Sequence, residues 1–123
     1  MFRRIVGNSV VLSPVGRIEL STADAFRDEL LSALGVVGER SDKGAVVVDC
    51  SHLDYVSSAG LRMLVIAARK AAGRGLGVAA MQPVVREIYT ISRFDTVVAA
   101  FETVRDALAK LDPGALDHLA TSP

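Results

Sequence analysis

The chain has 123 residues, half of them hydrophobic, which suits one compact domain whose core needs no metal or disulfide. Fourteen Lys plus Arg balance fourteen Asp plus Glu, so no global field draws it to nucleic acid or to an anionic membrane. A single cysteine, Cys50, excludes an intramolecular disulfide and a cysteine-rich zinc site, and fits a reducing compartment.

The opening segment MFRRIVGNSVVLSP carries two arginines, no continuous apolar stretch and no small-residue cleavage site, so no signal peptide is expected. Every apolar run is too short to span a bilayer. A cytoplasmic domain without membrane insertion is the expectation. Val10–Leu12 and Val15–Leu20 are β-branched pieces separated by Ser-Pro and read as a bent or paired strand region. The period then changes. Phe26, Leu30, Leu31 and Leu34 recur at helical spacing, Ser21 followed by Asp24 resembles a capping box, and Gly35 is expected to end this helix.

ERSDKG reads as a charged loop, and Ala45–Cys50 as a strand buried on both faces. After the stretch LDYVSSAG, a second helix runs to Gly73 or Gly75. Leu76–Met81 is a further buried strand. Pro83 opens a third helix in the first turn, where its missing N–H costs little. Val97–Phe101 is a last strand, and ETVRDALAKL a fourth helix closed by Asp-Pro-Gly. One domain over residues 1–111 is expected, with a weakly ordered tail at 112–123. The alternation predicts a single small α/β domain: a mostly parallel sheet of four to five strands, with about four helices packed mainly on one face.

At about 100° per residue, the second helix places Leu61, Leu64, Val65, Ala68 and Ala72 on a core stripe, and Arg62, Met63, Ile66, Arg69 and Lys70 outward. Met63 and Ile66 are then apolar residues on a solvent face. They are either scattered surface hydrophobes or a small patch suited to docking or self-association in a weak homodimer. The serines at the joint have two readings. One is capping, where a hydroxyl accepts a first-turn N–H. The other is a modification site, because the positive end of the helix favours a phosphate on Ser58 and Arg62 is four residues on. Gly60 fits close approach by a partner or a tight strand-to-helix turn.

GRIELSTADAFRDEL and VVVDCSHLDYVSSAGLRML, with the order of strands and helices, resemble a stand-alone STAS domain of the anti-sigma-factor antagonist family of bacteria, over roughly residues 5 to 111. In that family the joint commonly reads Asp-Ser-Ser/Thr-Gly-Leu, and the serine two places before the glycine is phosphorylated. That position is Ser58; Ser57 stands where the family has Asp, and is a competing acceptor, and Ala59 stands at its second Ser/Thr. Glu19 stands at the family's acidic strand end. The resemblance implies partner switching. A GHKL-type anti-sigma factor and serine kinase phosphorylates the antagonist, a metal-dependent serine phosphatase reverses this, and the unphosphorylated form alone holds the anti-sigma factor and frees the sigma factor. The expected partner surface takes in Glu19, Ser21, Thr22 and Tyr55, with Ser57, Ser58, Gly60, Arg62, Met63 and Ile66 at the joint and on the second helix.

An enzyme is not expected, and no metal or cofactor site is read. SSAG is not a nucleophile elbow. His52 reads as a solvated loop residue, His118 lies in the tail, Asp49 ends a strand and Asp54 solvates a loop. GRGLG follows a helix rather than a strand, against dinucleotide binding. The remaining alternative is a STAS module that docks without phosphorylation on a lipid-transport ABC system or in a sensory complex, with Ser58 only a cap.

Overall fold

The computed structural model describes residues 1–71 and 73–119. Ala72, expected on the core stripe, and residues 120–123 of the expected tail lie outside the described residues. Five strands form the main sheet: β1 (Phe2–Val6), β2 (Ser9–Ser13), β4 (Ala45–Asp49), β6 (Gly75–Ala79) and β7 (Ala99–Phe101), in the order β1-β2-β4-β6-β7. β1 is antiparallel to β2 and the other pairings are parallel. A separate parallel pair is made by β3 (Gly16–Ile18) and β5 (Leu53–Val56).

The helices are α1 (Leu20–Arg40), α2 (Ser58–Ala71), α3 (Pro83–Ile91), α4 (Val104–Leu111) and the short α5 (Leu116–Leu119). The α/β class and mostly parallel sheet are as the alternating pattern predicts. β4 shows why. Val46 and Val48 enter the larger core with residues of α1, α2 and α3, while Val47 enters a second core with Ala107 and Leu108 of α4 and with Ala115. A strand covered on both faces reads as a continuous apolar run.

Several sequence expectations are corrected. β1 was not expected, because Arg3 and Arg4 interrupt its apolar pattern. It forms by antiparallel return through Gly7, whose φ of +60° suits the turn. The expected strand Val15–Leu20 contracts to Gly16–Ile18, and Leu20 begins α1. α1 passes through Gly35 and Gly38 to Arg40, because Val37, fully buried, anchors its last turn. That burial outweighs the roughly 1 kcal/mol a helical glycine costs. Gly38 lies against the Arg74 guanidinium, which stands 2.9 Å from where a Cβ would be. The segment after Leu111 carries a 3-10 turn and α5, and Ala115 is buried. Asp112, itself buried, accepts a hydrogen bond from the Ser9 hydroxyl, which also accepts the Ala45 N–H at 2.9 Å. This link ties the C-terminal segment to β2 and β4 and satisfies the only polar residues buried among those described.

Candidate functional site

β3 and β5 pair in parallel, with Ile18 opposite Val56. Each strand then gives one residue to a helix N-cap and starts a helix: Ile18–Glu19–Leu20 on one side, Val56–Ser57–Ser58 on the other. The pairing continues past the strands, since the Ser57 N–H donates to the Ile18 carbonyl at 2.8 Å. Glu19 and Ser57, and then Leu20 and Ser58, therefore occupy matching positions on adjacent strand-to-helix joints. LDYV went unread as a strand because its partner is 35 or more residues away in sequence and Asp54 breaks the apolar run. Asp54 accepts from Gln82 Nε2 at 3.2 Å.

The α2 joint separates the two serines by role. Ser57 is the cap: its Oγ accepts the Gly60 N–H at 3.2 Å and its carbonyl accepts the Leu61 N–H at 3.0 Å. Ser and Asp are comparable N-caps, so serine in place of the family's aspartate keeps the local geometry. Ser58 is the first helical residue, exposed, with its hydroxyl unused among the described residues. The first turn of α2 holds no acidic side chain of its own to offset the positive helix end. Arg62 is exposed and no carboxylate pairs with it among the described residues.

Gly60 is buried. A Cβ there would stand 2.7 Å from Ile18 Cγ2 and 2.8 Å from Val56 Cγ2. Of the two readings of this glycine, the structure favours tight packing of α2 on the β3–β5 pair. The side of Gly60 where a Cβ would stand faces Ile18 and Val56 rather than solvent.

At the α1 joint the Glu19 N–H donates to Thr22 Oγ1 at 2.9 Å, and Thr22 N–H donates to the Glu19 carbonyl at 3.0 Å. The capping pair is therefore Glu19 with Thr22, not Ser21 with Asp24, because the helix begins at Leu20 rather than after Ser21. Arg17 lies over Tyr55, its Cζ 4.5 Å from the ring centroid, and pairs with Glu19 at 3.0 Å. Arg17 and Glu19 are both more than half exposed, so this pair orients side chains more than it stabilises the fold. Ser21 and Thr22 are exposed, and Tyr55 is half-buried beside Arg17.

The expected outward patch on α2 is smaller than the wheel suggests. Met63 and Ile66 are half-buried, and Met63 packs against the larger core. Val65 and Ala68 are half-buried as well, while Ala67 and Ala71 are fully covered. α1 lies along α2 and turns the buried stripe toward the small residues. Sequence reasoning missed two neighbours of the joint, Arg17 and Leu20. Leu20 is 81% exposed. Starting α1 one residue earlier in the sequence reading would have found it, because LSTADAF places a leucine at the first helical position.

His52 sits apart in an exposed turn, with Nδ1 3.1 Å from Ser51 Oγ. Asp49 ends β4 and accepts the Ser51 N–H at 3.0 Å. Among the described residues no group of three or more His, Cys, Asp or Glu is placed to hold a metal ion, and no helix is long and apolar enough to cross a membrane.

The family model described as "Mlab, STAS domain" matches residues 1–104. The chain belongs to the STAS domain family. STAS is a regulatory and binding fold rather than a catalytic one. No curated protein matches the chain. Among solved structures, an anti-sigma factor antagonist from Mycobacterium paratuberculosis is 25% identical, with a TM-score of 0.77 over 89% of this chain and 91% of that one. A STAS-domain anti-sigma-factor antagonist from Planctomyces limnophilus has a TM-score of 0.71 at 13% identity, covering 89% and 96%. SpoIIAA of Bacillus in its phosphorylated form has a TM-score of 0.61 at 14% identity, covering 89% and 96%. The latter two likenesses concern the fold.

Proposed function

We propose that this STAS domain is an anti-sigma-factor antagonist that switches partners through Ser58. The observation that carries the reading is the division of labour at the α2 joint. Ser57 uses its hydroxyl to cap the helix, which leaves the exposed Ser58 hydroxyl at the register where the family is phosphorylated. The Mycobacterium paratuberculosis antagonist, similar over most of both chains, supports the same class of function.

In this reading a GHKL-type anti-sigma factor kinase transfers the γ-phosphoryl of ATP to Ser58 Oγ. ADP leaves and the hydroxyl proton passes to solvent. The phosphate meets the positive end of α2, with Arg62 one turn on, so the domain keeps its fold. The charge acts instead on the docking surface, where about two negative charges oppose burial against a partner. A serine phosphatase restores the neutral hydroxyl and with it the contact that frees the sigma factor.

The test is incubation with the cognate kinase and ATP, followed by mass spectrometry. Phosphate on Ser58, lost in Ser58→Ala and retained in Ser57→Ala, is the expected result. Full phosphorylation of Ser58→Ala overturns the assignment. An unmodified chain that binds its partner equally well as Ser58→Asp supports instead a module docked permanently on a lipid-transport or sensory complex.

A further inference from the structure

We infer that Leu20 is the apolar anchor of the docking surface, and that a phosphate on Ser58 acts by denying this leucine its contact. The inference rests on the partner-switching reading and adds to it the residue whose burial the switch controls. Leu20 has the most exposed large hydrophobic side chain among the described residues. A lone exposed leucine is ordinary; this one is placed. It stands on α1 at the position that Ser58 holds on α2, one residue past the N-caps that follow the paired residues Ile18 and Val56.

Its backbone is held on both sides. Ile18 is buried and accepts the Ser57 N–H, and Glu19 and Thr22 bond to each other. Little order remains to be imposed when the side chain enters a pocket, which is what makes an anchor effective. Glu19 precedes it in the chain and pairs with Arg17, which lies over the Tyr55 ring, so polar and aromatic groups stand at the same joint, as in an apolar hot spot with a polar rim. The occupant is therefore an apolar pocket on the same partner that meets Ser58, because the two side chains leave adjacent strands at one register. A neutral hydroxyl enters beside such a pocket at small cost. A phosphate there must lose its water next to apolar surface, which opposes seating of the leucine.

Isothermal titration with the purified cognate anti-sigma factor kinase, without nucleotide, tests this. Leu20→Ala is expected to weaken binding about tenfold or more, with circular dichroism and thermal midpoint unchanged because the side chain is exposed. Leu20→Met is expected to bind within a few-fold of wild type. Ile91→Ala, at another largely exposed residue, on α3, is expected to bind as wild type. Leu20→Asp with Ser58→Asp is expected to lose less than the two single losses combined, since both act on one contact. Wild-type affinity in Leu20→Ala while Ser58→Asp fails to bind overturns the anchor and leaves the switch standing. Loss in Leu20→Ala with unchanged Ser58→Asp overturns the switch and the coupling, and leaves Leu20 as an interface residue. Absence of binding by the wild-type chain overturns both.

Discussion

Gly60 packs its Cα against Ile18, so closely that a Cβ would stand 2.7 Å from Ile18 Cγ2. That contact seats the first turn of α2 on the β3–β5 pair and fixes where Ser57 and Ser58 stand. Gly60→Ala gains about 1 kcal/mol of helix propensity and incurs about 1–3 kcal/mol of overpacking against Ile18 and Val56. A net loss of about 1 kcal/mol is expected in urea unfolding. A stabilised variant would mean that α2 shifts freely on the strand pair.

The two serines are expected to separate by stability. Ser57→Ala loses the cap and about 1 kcal/mol, whereas Ser57→Asp keeps it. Ser58→Ala, with an unused exposed hydroxyl, stays within about 0.5 kcal/mol of wild type. Equilibrium denaturation of the three variants reads this directly. Equal losses at both serines would contradict the assignment of Ser57 alone as cap.

The Ser9–Asp112 link predicts a local effect. Asp112→Ala leaves the Ser9 hydroxyl without its acceptor in a buried place, at a cost of about 1–3 kcal/mol. Hydrogen exchange is expected to quicken in 113–119 before the central strands. Uniform acceleration across the domain would show that the C-terminal segment is no separate unit.

Alkaline pH is expected to destabilise the fold. Burial first, and then the charge of Asp49, push the Cys50 thiol up to about 12, from 9.0. Burial, with the nearby Cys50 and Asp95, likewise raises the Tyr89 phenol, whose hydroxyl donates to the Val98 carbonyl. The unfolded chain then releases protons that the folded one holds. Both contributions are complete below pH 9 and decline above it, the thiol's between about 9 and 12. Stability measured from pH 7 to 11 should fall more gently in Cys50→Ala. Cys50 should also resist alkylation until denaturant is added. Rapid modification of the native chain at pH 8 would contradict this.

Much of the molecule was legible in sequence. AVVVD reads as a strand covered on both faces because each of its valines lies in a core. Pro83 and the Thr103–Asp106 start of α4 mark their helices by local chemistry: Thr103 Oγ1 accepts the Asp106 N–H at 3.0 Å. The register of Ser-Ser-Ala-Gly-Leu was also readable, and with it the candidate serine.

The sequence alone could determine what depends on neighbours along the chain: the α/β alternation, most strand cores, the proline-marked start of α3 and the motif register. Tertiary structure decided what depends on residues brought together from afar. β5 exists because β3 pairs with it, and α1 outlasts Gly35 because Val37 is buried. Gly60 is glycine because Ile18 and Val56 occupy its Cβ position. Met63 and Ile66 are half-covered where a helical wheel leaves them in solvent. Leu20 and Ser58 hold matching positions because two parallel strands end at one register, a relation no local pattern encodes.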